Sequence, residues 1–260
     1  MTPQTIDRAA EVLWNAWQEG SRLDALPEDI RPASREEGFA IQLAIGRRAG
    51  DTRFGWKIAA TSSAGQTHIG VDGPLPGTLL GSRARQCPAR FDLTHNLMRV
   101  AEAEFAFRMG RDLPPRAKAY DTDEVLAAVA TLHPAIEVPD SRYREFVRVG
   151  APQLIADNAC ASWFALGPAT GAEWRSLDLA RHPVHAYVNG RLVQSGSGAN
   201  VLGDPRIALT WIANELSRLG TGLAADEVIT TGTCVTPVAV APGDRVMADF
   251  GLLGRAEVAF

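Results

Sequence analysis

The sequence predicts an α+β protein in which a smaller N-terminal α/β part, residues 1–85, leans on a strand-rich core, residues 86–260. Three observations carry this. Near the start, Ile6, Ala9, Leu13 and Trp17 recur at helical spacing. Beyond residue 160, short apolar runs bounded by turn residues dominate. Between two of those runs, Asn189-Gly190 is a two-residue hairpin signal.

Taken in order, residues 5–19 form an amphipathic helix ended by Gly20. Ser34-Arg35-Glu36-Glu37 reads as a capping box that opens a second helix, running to about Ala49 and stopping at Gly50. Residues 54–60 read as a short strand. The stretch 61–82 is expected to be turns, because Gly65, Gly70, Gly73, Pro74, Pro76, Gly77 and Gly81 crowd it. A strand follows at 98–109, then a helix at 122–132 capped by Asp121, then a strand at 134–138. The second half reads as strands at 162–167, 184–188, 191–195, 228–231, 245–250 and 254–259. One helix interrupts them at 205–219, where Asp204-Pro205 supplies a cap and a proline at the first helical position.

Composition bounds the function. The 260 residues are 46% apolar and 22% charged, the balance of an ordinary globular chain. A net charge of −4 gives no reason to expect a nucleic acid or an anionic membrane as partner. No stretch approaches the roughly 20 apolar residues of a membrane span. The N-terminus lacks the basic start and apolar run of a signal peptide. Cys87, Cys160 and Cys234 lie far apart, with no Cys-x-x-Cys pair, so reduced thiols in a cytoplasmic protein are expected. No Gly-x-Gly-x-x-Gly or P-loop pattern implies a nucleotide cofactor.

The most informative segment is Val100-Ala101-Glu102-Ala103-Glu104-Phe105-Ala106-Phe107. As a strand it puts Ala101, Ala103, Phe105 and Phe107 on one face, and Glu102 and Glu104 on the other. Enclosed, two carboxylates roughly 7 Å apart need a cation or a proton. A second apolar strand, Pro134-Ala135-Ile136-Glu137-Val138-Pro139, holds a lone carboxylate, costly there unless paired. Three oxygen donors suit a hard ion such as Mg²⁺ or Mn²⁺. The same spacing also fits a solvated sheet face with Glu137 ending an edge strand.

Longer blocks narrow the choice. Phe54-Gly55-Trp56-Lys57-Ile58-Ala59-Ala60-Thr61-Ser62, Glu102-Ala103-Glu104-Phe105-Ala106-Phe107 and Pro134-Ala135-Ile136-Glu137 with Asp140-Ser141-Arg142 come first. Ala156-Asp157-Asn158-Ala159, Ser195-Gly196-x-Gly198, Leu202-Gly203-Asp204-Pro205, Trp211-x-x-Asn214, Pro242-Gly243-Asp244 and Phe250-Gly251-x-Leu253-Gly254 follow in order. Together these blocks resemble the 2-keto-4-pentenoate hydratase / 2-oxohepta-3-ene-1,7-dioate hydratase family of the fumarylacetoacetase superfamily, over nearly the whole chain.

The resemblance implies a fumarylacetoacetase-like mixed β-roll core. It implies Glu102, Glu104 and Glu137 as ligands of Mg²⁺ or Mn²⁺, Lys57 as the catalytic, substrate-facing lysine, and Ser62, Phe105 and Cys160 beside the substrate. Without it, Lys57 reads equally as a surface residue. The implied activity is a hydro-lyase adding water to a 2-hydroxy-dienoate or 2-oxo-enoate in the breakdown of aromatic compounds. The expected partner is a small 2-oxo acid, and the expected assembly a homo-oligomer or a complex with a decarboxylase or hydratase.

Two departures bear on the substrate. Leu75 stands where many hydratases carry an aspartate, and Cys160-Ala161 where the family often has two serines. The alternatives are a decarboxylase of a vinylogous 2-oxo diacid, a C–C hydrolase using a histidine–glutamate pair, and a non-catalytic partner subunit. His182-x-x-His185, His68, His95 and His133 read as structural or surface residues, and Trp14, Trp17 and Trp211 as core or interface anchors.

Overall fold

The structure, a computed structural model, describes residues 1–260. Helix α1 (Pro3–Glu19) starts two residues before the expected residue 5, because Thr2 caps it and Pro3 occupies a first-turn position where no amide donor is missed. It buries Ala9, Ala10, Leu13 and Ala16 and ends at Gly20, φ +67°. Helix α2 (Arg35–Ala49) opens as expected on Ser34, whose hydroxyl accepts from the Glu37 amide at 3.2 Å. The reciprocal half of the capping box goes elsewhere. The Glu37 carboxylate accepts from the Ala33 amide at 2.7 Å and from the Met1 amino group at 2.6 Å.

Strand β1 (Arg53–Ala59) comes next. The expected turn region then proves structured, with helix α3 (Ser63–Ile69) and strand β2 (Leu75–Leu80). Ser62 caps α3 and Gly70 stops it at φ +64°. The pairing of β2 with β1, from Ala59 opposite Leu75 to Arg53 opposite Leu80, overrides the local turn signal. Pro76 is tolerated because β2 is an edge strand.

Strands β3 (Ala84–Gln86), β4 (Ala89–Arg90) and β5 (Val100–Met109) lead into helix α4 (Thr122–Ala127) and strand β6 (Val129–Val138). Here the helix expected over 122–132 is corrected. Asp121 and Glu124 form a complete capping box, but the helix ends at Ala127. Val129, Thr131 and Leu132 instead pair with Met109, Arg108 and Phe107 of β5. Their β-branched or apolar side chains suit that ladder.

The remaining elements are α5 (Gly150–Ala156), β7 (Trp163–Leu166), β8 (Pro183–Val188), β9 (Arg191–Ser197), α6 (Pro205–Arg218), β10 (Val228–Thr233), β11 (Val238–Ala239), β12 (Arg245–Asp249) and β13 (Arg255–Ala259). The β8–β9 hairpin turns at Asn189 and Gly190, both at positive φ as its sequence requires. Eight strands form one mixed sheet in the order β2-β1-β10-β5-β6-β7-β3, with β11 added to β5; the second sheet runs β4-β13-β12-β8-β9. The apolar face of β5 (Ala101, Ala103, Phe105, Phe107) packs toward the second sheet through Val184, Ala186, Ala248, Phe250, Ala256 and Val258. A smaller core joins α1 and α2 to Tyr143 and Ala156, with Trp14 and Trp17 half-buried on it. Cys87, Cys160 and Cys234 are all free thiols. No helix is long and apolar enough to cross a membrane.

Candidate active site

Strand alternation and register assemble the site. With Ala101, Ala103, Phe105 and Phe107 turned into the core, Glu102 and Glu104 share the opposite face of β5. The β5–β6 register sets Glu102 directly across from Glu137, so the three carboxylates converge. One oxygen from each lies within 4.8 Å of the others. Glu104 and Glu137 are fully buried, and Glu102 lies half-buried beside them.

Only part of this charge is satisfied by the protein. Glu104 Oε2 accepts hydrogen bonds from the Gly232 amide at 2.8 Å and from the Thr230 hydroxyl. Glu104 Oε1 and both Glu137 oxygens have no hydrogen-bond partner. Lys57 Nζ, on β1, lies 3.2 Å from Glu137 Oε1, close enough for an ion pair but off the line of a hydrogen bond. Its aligned hydrogen bond goes to the Ala159 carbonyl at 2.9 Å.

Burial first, and then repulsion from Glu137, pushes the Glu102 carboxyl up to about 7. Burial, then Glu137 and Glu102, raises Glu104 well above the ordinary carboxylate range, and burial also raises Glu137. Burial pulls Lys57 down, but Glu137, Glu102 and Glu104 outweigh it and hold the lysine above its ordinary value. Three carboxylates against one ammonium leave two negative charges when all are ionised, the charge one divalent cation cancels. Oxygen-only donors, some without partners, and that charge balance fit a hard cation such as Mg²⁺ or Mn²⁺. Saturating Mg²⁺ is therefore expected to raise the melting temperature, by about 2.7 kcal/mol of added stability at a hundredfold excess over Kd. Differential scanning fluorimetry with EDTA reversal checks this, and no shift at millimolar metal would count against convergence of the three glutamates on an ion.

Gly77, opposite Lys57 on β2, gives the lysine its path. A Cβ there would lie 2.5 Å from the Asn158 carbonyl oxygen and 2.9 Å from Lys57 Cγ and Cδ. Gly77→Ala is thus expected to destabilise the fold by about 1–3 kcal/mol and to displace Lys57. Chemical denaturation beside an activity assay measures both effects, and a variant matching wild type in both contradicts this packing.

Among the other residues singled out from sequence, Cys160 lies in the turn that carries the Lys57-binding carbonyl. Burial and then Asp157 push its thiol up to about 12, so it is a neutral S–H. Ser62 caps α3, its hydroxyl accepting from the Gly65 amide at 3.1 Å. The structure does not bring the Phe105 ring to the carboxylates. It is 1% exposed, on the opposite strand face, packed edge-to-face on Phe250 at 4.9 Å. Leu75 is fully buried among apolar residues. None of the five histidines bonds to the carboxylates. His133 bridges Thr131 and the Gly167 carbonyl, His182 meets the Phe250 carbonyl, and His185 meets Ser195. Asp204 is a plain helix cap, accepting from the Arg206 amide at 2.8 Å. Thr230, Gly232 and Ala159 were not legible as site residues. Two of them act through backbone atoms, which carry no side-chain signal, and Thr230 sits in an ordinary strand run.

Residues 87–260 match the model of the fumarylacetoacetate (FAA) hydrolase C-terminal family. The chain is 34% identical over 267 residues to a 2-keto-4-pentenoate hydratase of Paraburkholderia xenovorans (strain LB400), covering 100% of this chain and 96% of that one. It is 31% identical over 251 residues to a 4-oxalocrotonate decarboxylase of a Pseudomonas species, covering 96% and 95%. Among solved structures, the 4-oxalocrotonate decarboxylase from Pseudomonas putida G7 complexed with magnesium and adipate superposes with a TM-score of 0.90 at 28% identity, covering 100% and 98%.

Proposed function

Because the chain belongs to the fumarylacetoacetate hydrolase family, we propose that it is a divalent-metal-dependent hydro-lyase adding water to a 2-hydroxy-dienoate or 2-oxo-enoate such as 2-keto-4-pentenoate. The observation that carries this reading is the convergence of Glu102, Glu104 and Glu137, with partnerless buried oxygens, beside one ammonium. In it, those three carboxylates hold Mg²⁺ or Mn²⁺. When bound, the cation supplies Lewis acidity that stabilises negative charge developing on the keto oxygen of a 2-oxo acid.

The chain's own residues set the rest. Lys57, stationed 3.2 Å from Glu137 and bonded to the Ala159 carbonyl, grips the substrate carboxylate as a charged donor. Thr230 and Gly232 orient Glu104 and leave its other oxygen free. Cys160, as a neutral thiol, offers an adaptable wall where a hydroxyl would offer a stronger hydrogen bond. The site's enclosure keeps these charges strong. In keeping with three free thiols, the enzyme works in the cytoplasm on a small 2-oxo acid, as a homo-oligomer or with a decarboxylase or hydratase partner.

A second reading is favoured by the decarboxylase likeness in both sequence and fold. Incubation of the Mg²⁺-loaded protein with 2-hydroxypenta-2,4-dienoate separates the two. Hydration moves a proton to the terminal carbon and adds water at C4, giving 4-hydroxy-2-oxopentanoate, which NMR identifies. Turnover confined to the diacid 2-oxohex-3-enedioate, with release of CO₂, would replace the hydratase reading by the decarboxylase one.

A further inference from the structure

Asn158, Ala159 and Cys160 adopt φ values of +58°, +49° and +62°, three successive non-glycine residues in the left-handed region. L-residues avoid that region because Cβ crowds the following carbonyl, and single visits are the rule. Such a run persists only where its surroundings over-determine it. Here they do.

Asp157, fully buried, receives the Ser141 hydroxyl at 2.6 Å, the Arg142 amide at 3.0 Å and the Arg142 guanidinium. The same guanidinium, 1% exposed, also donates to the Asp157 carbonyl and, at 3.0 Å, to the Ala161 carbonyl. Its other face lies over the Trp17 ring at 4.2 Å. Arg142 thus binds both ends of the turn. From the opposite side, the Asn158 carboxamide exchanges two hydrogen bonds of 2.7 Å with the Thr78 backbone, one residue from Gly77. The product of this bracing is one carbonyl, that of Ala159, aimed at Lys57 Nζ. Neither Arg142 nor Asp157 forms a hydrogen bond or ion pair with the three glutamates or with Lys57.

We propose that Asp157 and Arg142 are positioning residues: they lock a left-handed turn whose Ala159 carbonyl fixes Lys57 Nζ at its station beside Glu137. The inference rests on the reading that Lys57 handles substrate, and two measurements keep its fate separate from that reading. A buried ion pair with this many aligned donors is rigid, and rigidity is what a charged group on a flexible four-carbon stem lacks.

The kinetic measurement is a double-mutant cycle on the Mg²⁺-saturated enzyme. Asp157→Asn alone is expected to lower kcat/KM by about tenfold or more, the scale for a misplaced substrate-binding group. In the Lys57→Ala background the same substitution is expected to change it by less than about twofold, because its route of action is gone. Asp157→Asn is expected to leave metal affinity unchanged in either background. Equal losses in both backgrounds would make the pair merely structural and overturn the proposal. Should Asp157→Asn not fold, Ser141→Ala, which removes the hydroxyl's bond to Asp157 and the one it accepts from the Tyr143 amide but leaves the ion pair, is expected to show the same background dependence at about threefold. The second measurement is the crystal structure of the same variant, in which Lys57 Nζ is expected to leave the Ala159 carbonyl. A contact unchanged at 2.9 Å would overturn the positioning role whatever the enzyme's substrate proves to be.

Discussion

Glu104→Gln is expected to abolish metal-dependent turnover while leaving the folded protein intact and, without metal, more stable than wild type. Glutamine keeps the shape of Glu104, and its carbonyl oxygen can still accept from Gly232 and Thr230. The second position, partnerless in the wild type, then holds an amide nitrogen, which cannot ligate a hard cation. Losing Lewis acidity worth several kcal/mol corresponds to a fall in rate on the order of 10³-fold. In the metal-free protein, however, one buried carboxylate has been taken from a trio whose oxygens lie within 4.8 Å. Two charges at that distance repel by about 3.5 kcal/mol at an effective dielectric near 20. The gain is smaller to the extent that protons already neutralise the trio, the direction in which burial pushes Glu102, Glu104 and Glu137. Melting curves with and without Mg²⁺ read both signs. A variant that keeps full turnover, or melts lower without metal, contradicts the assignment.

Lys57→Ala is expected to show the converse pattern. Turnover falls, with kcat/KM reduced on the order of 10²-fold, the scale for a charge-assisted or acid–base group. Metal affinity holds or improves, since the one nearby ammonium opposes a cation. Without metal the variant is expected to lose about 3 kcal/mol of stability, because buried carboxylates lose their only cation. Titration calorimetry beside steady-state kinetics on the same preparations separates the two roles. Wild-type turnover by Lys57→Ala would remove Lys57 from the site.

How much of this was legible depends on the range of the interactions. The two-residue period of Val100–Phe107 put Glu102 and Glu104 on one face, and the structure keeps them there. The same period put Phe105 on the core face, where its ring stays, although the family resemblance had placed it beside the substrate. That Glu102 stands opposite Glu137 depends on strand register across about thirty residues of chain, a long-range pairing that local pattern does not encode. The same limit explains β2, hidden under prolines and glycines until β1 pairs with it, and the early end of α4, where β5 captures Val129 and Thr131. Asp157-Asn158-Ala159 was visible as a block, but nothing in those residue types announces a left-handed turn braced by Arg142.

Titrating Mg²⁺ into EDTA-stripped protein, while following both heat and turnover of 2-hydroxypenta-2,4-dienoate, tests whether the three carboxylates hold one catalytic cation. One ion is expected to bind per chain, with activity rising in step with occupancy and neither signal in Glu104→Gln. Full turnover by the stripped protein, or one ion bound equally well by Glu104→Gln, would contradict it.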